Sequence, residues 1–238
     1  WIAFGLILSL IHSLQAQQAR ILFLLWFVSF ASLKMSASAQ EMEQVNVLFI
    51  LVDDLGYHDL CFTGSQFYET PNIDRLISQG MFFSQAYAAS PICSPSRAAI
   101  LSGKTPARLN LTDYIPGNRH YGPHKDQKLA SHPFNLSFDS EEVSIAEAFE
   151  AKGYRTFFAG KWHLGKKETD YPNFHGFEIN RGGNSTGHPA GGYFSPYDNP
   201  QLPDGPEGEY LTDRLTDETI QFITEAGEKP FFAFLSFY

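Results

Sequence analysis

An apolar run that stops at two adjacent acids is the feature that most constrains this fold. Residues 45–52 are almost all apolar and rich in β-branched types, and Asp53 and Asp54 follow directly. Such a run predicts a strand covered on both faces within a parallel sheet. Open α/β sheets bind ligands outside the carboxyl ends of their strands. The pair of acids is therefore predicted to lie at a functional edge.

The rest of the chain alternates between helix and strand signals. Ser144 and Glu147 have the spacing of a capping box and Gly153 follows as a stop, which makes that helix the clearest. The elements predicted after the first strand are a helix over 71–79, a strand over 81–88, a helix from about Ser94 to Leu101, the capped helix with a strand over 154–159, a helix over 212–226 and a strand over 231–238. This order predicts a doubly wound α/β fold.

Two long segments, 104–142 and 165–209, are rich in Pro, Gly, Asn and His. They predict long loops of the type that carries function in α/β proteins.

The first 39 residues have the layout of a secretory signal. Arg20 precedes the apolar run 21–33, and small residues end at Ala39. A run of 13 residues is shorter than the roughly 20 that a spanning helix needs. We therefore expect residues 1–39 to be removed, leaving an exported protein (periplasmic, secreted or lumenal) without a stable membrane span. The alternative is an uncleaved anchor that includes residues 1–11.

Composition excludes several classes for the chain as a whole. The 22 Phe and 11 Tyr can form a core, so intrinsic disorder is excluded, and two Cys are too few for a disulfide scaffold. The net charge of −9, with no basic tract, argues against nucleic-acid binding. Because the final residues, 231–238, read as a core strand, we expect a longer chain and an incomplete site.

Three groups of residues could carry chemistry. Asp53 and Asp54 repel each other unless a cation or hydrogen bonds compensate, and oxygen ligands favour Ca²⁺ or Mg²⁺. The alternative is that one acid caps the next turn and the other is solvated. Cys93 and Arg97 lie at a predicted helix start, where backbone N–H groups attract anions. The alternatives there are a structural cysteine or a Cys61–Cys93 disulfide.

The third group is the hexapeptide 160–165, Gly-Lys-Trp-His-Leu-Gly, which follows a predicted strand. On an extended chain Lys161 and His163 alternate onto the same side and could face one oxyanion. The alternative is a surface lysine and an incidental loop histidine.

Taken together, these motifs resemble the type I sulfatases. The matching residues are Leu51 to Gly56 (Leu-Val-Asp-Asp-Leu-Gly), Thr70 to Leu76 (Thr-Pro-Asn-Ile-Asp-Arg-Leu), Cys93 to Arg97 (Cys-Ser-Pro-Ser-Arg) and Gly160 to Gly165. The resemblance covers about residues 45–238 and corresponds to the amino-terminal part of the family's catalytic domain. It implies an alkaline-phosphatase-like α/β fold, with a mixed, mainly parallel sheet between helices.

The resemblance also implies roles for individual residues. Cys93 would be oxidised to formylglycine by a formylglycine-generating or sulfatase-maturing enzyme, and its aldehyde hydrate would attack sulfur. Arg97 would steady that group, and Lys161 would clamp a sulfate oxygen. His163 would orient the second hydroxyl of the hydrate or take its proton. Asp53 and Asp54, with the modified Cys93, would bind Ca²⁺; the leaving-group His, a second Lys and an Asp-Asn pair are expected beyond Tyr238.

The function that follows is a sulfuric ester hydrolase. Residues 191–197 and 209–214 resemble sulfatases of sulfated carbohydrates, so a sulfated small molecule or polysaccharide is the expected substrate. Two alternatives stay open: a phosphatase or phosphonate hydrolase of the same superfamily, and a noncatalytic carbohydrate-binding pseudoenzyme. With part of the site missing, we expect the 238-residue chain alone to be inactive.

Overall fold

A parallel sheet of four strands forms the centre of the computed structural model, which describes residues 44–116, 128 and 132–238. The predicted signal segment lies outside the described residues. The strands are β1 (Val47–Leu51), β2 (Arg155–Gly160), β3 (Ile179–Arg181) and β4 (Phe231–Ser236), and their order in the sheet is β1-β4-β2-β3. All three strand pairs are parallel. The predicted α/β class with a parallel sheet is confirmed.

Among the described residues, four α-helices accompany the sheet, with several short 3-10 turns between them. They are α1 (Pro71–Gln79), α2 (Cys93–Ser102), α3 (Ile145–Glu150) and α4 (Leu211–Ala226). The capping box predicted for α3 is present: Ser144 Oγ accepts the backbone N–H of Glu147 at 3.1 Å, and Glu147 Oε2 accepts that of Ser144 at 2.7 Å. All four predicted helices are confirmed, within about two residues except at the C-terminal end of α3.

Side chains that alternate along β2 and β4 build a core on each face of the sheet. On one face Phe158, Phe232 and Phe234 pack with residues of α2 and α3. On the other face Phe157 and Leu235 pack with apolar residues of α4, namely Leu211, Leu215, Phe222 and Ala226. Because both faces are covered by helices, β2 from Thr156 onward and all of β4 are buried.

β1 differs from the prediction that it is covered on both faces. Its residues alternate between half-buried and exposed, and Leu48 and Ile50 keep 45% and 49% of their surface accessible. The physical reason is its position at the edge of the sheet. Its inward side chains, such as Val47 and Phe49, pack against the first core, and no described helix covers the other face.

Two further predictions are wrong. Residues 81–88 form no strand and are exposed throughout, and no strand in the described part of the chain pairs with them. Conversely, β3 lies inside the segment 165–209 that was predicted to be loop. Three residues are too few to give a periodic signal, and β3 is recognisable only through its pairing with β2.

The parallel sheet brings several loops to one edge. Lys161 and Phe237 directly follow β2 and β4, and Asp53 lies two residues beyond the end of β1. The chain leaves these strands at the edge where α/β sheets place their sites. No helix among the described residues is long and apolar enough to cross a membrane.

Candidate active site

The turn after β2 requires glycine at position 160. Gly160 has φ +100°, and a β-carbon there would lie 1.9 Å from the Ser236 carbonyl oxygen. The next backbone N–H, that of Lys161, donates to the same oxygen at 2.9 Å. The chain therefore turns sharply at the carboxyl edge while staying hydrogen-bonded to β4.

The backbone that carries Lys161 and His163 differs from the predicted extended conformation. His163 has φ +58°, in the left-handed region, so the segment is not extended and the two side chains do not simply alternate. Lys161 reaches Asp53, whereas His163 reaches Cys93. Both belong to the same cluster, but they contact different partners.

Cys93 is the first residue of α2, and its thiol faces an imidazole. Cys93 Sγ lies 3.2 Å from His163 Nδ1. On the other side of the ring, Nε2 lies 2.8 Å from the Ile115 carbonyl oxygen. A carbonyl only accepts hydrogen bonds, so Nε2 carries the proton and Nδ1 presents its lone pair to the side chain at position 93. The ring is thus set to accept a proton there.

Burial keeps His163 neutral. Desolvation lowers its pKa from 6.5 to about 4, and the positive charges of Lys161 and Arg97 act in the same direction. The hydrogen bond to Ile115 and the charge of Asp53 oppose this shift. At neutral pH the ring is consequently available as a base.

Three neighbours hold the imidazole in place. Ser94 Oγ donates to the His163 carbonyl at 3.0 Å and accepts the Ile115 N–H at 3.0 Å. It therefore joins the backbone of His163 to that of Ile115, the residue that binds the imidazole Nε2. The backbone N–H of His163 donates to the Asn184 carbonyl at 3.1 Å. A β-carbon on Gly187 would lie 2.6 Å from the ring, so this position has no room for a larger residue.

Arg97 lies one turn further along α2 and is almost completely buried. Its Nη1 donates to Ser236 Oγ at 2.7 Å and to the Lys161 carbonyl, while Nη2 lies 3.3 Å from Asp53 Oδ1. Burial lowers its pKa and the Asp53 charge opposes this, but an arginine stays protonated in proteins. Nη2 meets Asp53 in this ion pair, and Nε has no hydrogen-bond acceptor among the described residues. Donor capacity for an anion therefore remains.

Asp53 is the acid that joins the two cations. Its Oδ2 pairs with the buried Lys161 ammonium and its Oδ1 with Arg97. Burial raises the pKa of Asp53, but the hydrogen bond from Lys161 and the charge of Arg97 outweigh it and bring the pKa below its usual value. Asp53 is therefore ionised at neutral pH, and the three groups together carry a net positive charge.

Asp54 behaves differently from its neighbour. It is exposed, and its backbone has φ +55°. The two carboxylates offer hard oxygen donors that suit Ca²⁺, which takes about six to eight oxygen ligands. Within the described ranges there is no group of three or more His, Cys, Asp or Glu side chains arranged to hold a metal. The oxygen donors of the two acids thus suit a calcium ion. Two carboxylates would supply part of its ligand set.

The structure brings most of the predicted site residues together. Asp53, Arg97 and Lys161 are joined by ion pairs and a hydrogen bond, and Cys93 contacts His163. The charges of the first three act on His163, and we call all five residues the edge cluster. Cys61 and Cys93 are both free thiols, so the alternative of a disulfide between them is not realised.

Sequence reasoning missed the residues that hold this cluster in position. They are Ser94, the carbonyl of Ile115, Asn184 and Ser236. Ser236 was recognisable in principle, because it is the one polar side chain within the apolar run of β4. The others have only ordinary loop or helix positions in the sequence.

Comparison with known proteins gives a consistent result. The family model described as Sulfatase matches residues 45–238. N-acetylgalactosamine-6-sulfatase from Canis lupus familiaris is 32% identical over 213 residues, which cover 79% of this chain and 38% of that protein. The Homo sapiens protein of the same name is 36% identical over 162 residues, covering 68% and 28% respectively. The chain thus spans well under half the length of these relatives.

Solved structures also resemble the described fold. The crystal structure of Ps i-CgsB in complex with k-i-k-neocarrahexaose has a TM-score of 0.66 at 29% identity, covering 82% of this chain and 45% of that one. PsFucS1 sulfatase from Pseudoalteromonas sp. has a TM-score of 0.63 at 27% identity, covering 84% and 45%. The described fold therefore corresponds to somewhat less than half of each of those chains.

Proposed function

We propose that this chain, which belongs to the sulfatase family, is the amino-terminal part of an enzyme that hydrolyses sulfate esters. The observation that carries the proposal is the edge cluster. A cysteine at a helix start lies 3.2 Å from a neutral imidazole, beside two buried cations. These residues belong to the motifs through which the sequence resembles type I sulfatases.

The nucleophile would derive from Cys93. A maturing enzyme would convert its CH₂–SH group to an aldehyde, the formylglycine, whose hydrate supplies the attacking oxygen. Three features of the chain support this assignment: the side chain sits at the N-terminus of α2, it is only partly exposed, and it faces the lone pair of His163 Nδ1. His163 would orient a hydroxyl at this position and accept its proton.

The cations would bind the sulfate group. A sulfate ester is a poorly electrophilic anion, so attack on it requires neutralisation of its charge. Lys161 and Arg97 are buried, and cations act most strongly where water is excluded. Arg97 also retains the unpaired Nε donor described above. Lys161 would contact a sulfate oxygen, and Arg97 would steady the modified side chain.

A calcium ion would complete the positive charge of the site. Asp53 and Asp54 would hold it together with the modified Cys93, and its chemistry would be that of a Lewis acid polarising the sulfate. The further ligands, the leaving-group acid and the second sulfate-binding lysine would come from chain beyond these 238 residues. For this reason we expect the 238-residue chain alone to be inactive.

The substrate class we propose is a sulfated carbohydrate. One relative is named for a sulfated amino sugar, N-acetylgalactosamine-6-sulfate, and the Ps i-CgsB structure contains an oligosaccharide. We further propose that residues 1–39 direct export, which would give the enzyme access to extracellular or lumenal polysaccharides. A phosphatase or a sugar-binding pseudoenzyme remains as the alternative outcome of the test.

The test combines mass spectrometry with an activity assay on the full-length protein, co-expressed with a formylglycine-generating enzyme. We expect the peptide containing Cys93 to lose roughly 18 Da, the change from thiol to aldehyde. We also expect sulfate release from sulfated sugars. Cys93→Ala should abolish turnover, whereas Cys61→Ala, the matched change at the exposed free thiol, should not.

Two results would contradict the proposal. An unmodified Cys93 in a protein that binds sulfated sugars without cleaving them would indicate a pseudoenzyme. Release of phosphate in preference to sulfate would indicate the phosphatase alternative.

A further inference from the structure

Three exposed aromatic side chains lie together where α4 begins. Tyr193, Phe194 and Tyr210 keep 44%, 59% and 39% of their surface accessible. The rings of Phe194 and Tyr210 are 5.4 Å apart, and those of Tyr193 and Tyr210 are 6.4 Å apart. A short antiparallel bridge between Phe194 and Tyr210 holds the arrangement, with Leu211 N donating to Tyr193 O at 2.8 Å. We call these three residues the aromatic cluster.

The topology places the aromatic cluster at the same edge as the candidate active site. α4 packs against β2 and β4 and leads into β4 through only four residues, 227–230. A helix joined to the start of a strand by so short a connection runs antiparallel to it. The first residues of α4 therefore lie at the carboxyl ends of the strands, beside the residues that follow β2 and β4.

The segment 184–193 connects the two sites directly. It starts at Asn184, whose carbonyl accepts the His163 N–H, and continues through Gly187, which contacts the His163 ring. Thr186, in the same segment, lies close enough to Tyr238, which follows β4, to oppose the rise in the pKa of its phenol. One continuous stretch of backbone thus leads from the catalytic imidazole to the aromatic cluster.

Tyr238 lies near residues of both sites. Burial raises its pKa to about 12, with Thr186 and Arg97 opposing the shift and Tyr193 adding to it. Both Arg97 and Tyr193 are therefore close enough to act on the same phenol.

Two exposed acids, Glu207 and Asp213, lie within three residues of Tyr210, so the surroundings of the aromatic cluster do not favour an anionic ligand. The nearest acid in sequence, Glu209, is engaged within the protein: its Oε2 accepts from Tyr197 Oη at 2.8 Å and pairs with Arg214 at 3.1 Å. Exposed rings that carry hydroxyl groups combine an apolar face with a polar rim. A pyranose ring has the complementary character, with C–H groups on its face and hydroxyls at its edge.

We propose that the aromatic cluster binds the uncharged sugar ring next to the sulfated one in an oligosaccharide substrate. The inference rests on the proposed function and deepens it, because it assigns a second subsite. The edge cluster recognises the sulfate, and the aromatic cluster selects a substrate that continues beyond the sulfated residue. A small aryl sulfate would use the first site alone.

The experiment compares two substrates on the mature full-length enzyme: para-nitrophenyl sulfate and a sulfated oligosaccharide that the enzyme cleaves. For the double variant Tyr193→Ala/Phe194→Ala we expect KM for the oligosaccharide to rise about 5- to 10-fold, given the usual strength of aromatic contacts. Kinetics with para-nitrophenyl sulfate should stay within about twofold. The single variant Tyr193→Phe, which keeps the ring and leaves Phe194 unchanged, should have an oligosaccharide KM close to that of the parent enzyme.

The matched control is Ile220→Ala on the same helix. Ile220 is 55% exposed and lies ten residues after Tyr210, or about 15 Å along the helix axis. Its truncation should leave the kinetics with both substrates unchanged. Circular dichroism and thermal unfolding of each variant exclude a general loss of structure.

The outcomes separate this inference from the proposed function. Unchanged oligosaccharide KM in the double variant, with normal cleavage of both substrates, overturns the aromatic subsite and leaves the sulfatase function intact. An equal loss on both substrates also overturns it, because the cluster would then serve the sulfate site. Failure of the parent enzyme to cleave any sulfate ester overturns the function and the subsite together.

Discussion

β1 and β4 are neighbouring strands with nearly the same kind of sequence and different surroundings. Both are runs of Phe, Leu and other apolar residues, and they pair in register from Val47 opposite Phe232 to Leu51 opposite Ser236. β4 is buried along its whole length, whereas Leu48 and Ile50 of β1 are about half exposed. The difference is their place in the sheet, since β4 has a strand on each side and helices on both faces.

This comparison shows that an apolar run specifies a strand without specifying how far it is buried. It also bears on function, because the edge cluster draws on both regions. Asp53 comes from the end of β1, and its partners Lys161 and Arg97 come from the buried part of the molecule. The ion pairs thus tie the less buried edge to the core.

The largest effect is expected where the inner strands are most crowded. Gly160→Ala should destabilise the protein by about 4 kcal/mol or more, or prevent folding, because its β-carbon would overlap the Ser236 carbonyl. Gly153→Ala is the matched control, with φ +81° and no atom within 4 Å of the added carbon; it should cost only about 1–2 kcal/mol. Urea unfolding of both variants measures the difference. Equal losses would show that the contact between β2 and β4 is looser than described.

The second prediction compares one substitution in the two strands. Leu235→Ala in β4, where the side chain is 4% exposed, should cost about 2–5 kcal/mol through lost burial and the cavity left behind. Leu48→Ala in β1 should cost about 1 kcal/mol or less, since almost half of that side chain already contacts water. Chemical denaturation of the full-length protein measures both. A similar cost at both sites would mean that Leu48 is covered in the full-length protein.

The third prediction concerns the ion pairs that connect the two regions. Asp53→Asn should destabilise the protein by about 3 kcal/mol, because it leaves Lys161 and Arg97 buried without a counter-charge. Asp54→Asn should change stability by about 0.5 kcal/mol or less, since Asp54 is exposed. If the proposed calcium site is correct, both variants lose calcium-dependent sulfate release. Equal stability losses would contradict the different surroundings of the two acids.

The smallest effect is expected in the pH dependence of stability. The pKa of His163 is lowered from 6.5 to about 4, so below pH 6.5 the unfolded chain takes up this proton before the folded one does. The contribution of neutral His163 to the free energy of unfolding is complete above pH 6.5 and is lost as the pH falls towards 4. Between about pH 7.5 and 5 the loss amounts to about 2 kcal/mol.

Unfolding free energies at the two pH values test this. His163→Gln should reduce the change in unfolding free energy between the two pH values by about 2 kcal/mol. His175, whose pKa is also lowered by burial, should account for a remaining change. An unchanged slope in the variant would mean that the imidazole is protonated or exposed in the folded protein.

Much of the fold could be predicted from local signals. The capping box at Ser144 and Glu147 correctly indicated α3, and the apolar runs correctly indicated β2 and β4. The rule that α/β sheets bind ligands outside the carboxyl ends of their strands placed Asp53 at a predicted functional edge, and Lys161 and His163 follow a second predicted strand. That rule works because it depends on chain direction alone.

The failures have a common physical cause. Residues 81–88 carry the composition of a strand but have no partner, and β3 has a partner but too few residues to show a pattern. In both cases strand formation depends on hydrogen bonds to a distant part of the chain. Local composition carries no information about that.

The sequence by itself determined the types of most elements, their order and the edge at which the chemistry gathers. Periodicity, caps and glycine positions act over a few residues, so they can be recognised in isolation. Only the tertiary structure decided that Asp53 pairs with Lys161 and Arg97 while Asp54 is exposed, and that the Ile115 carbonyl directs the His163 lone pair towards Cys93. These features arise from contacts between residues 44 to 108 positions apart, and such contacts exist only once the chain has folded.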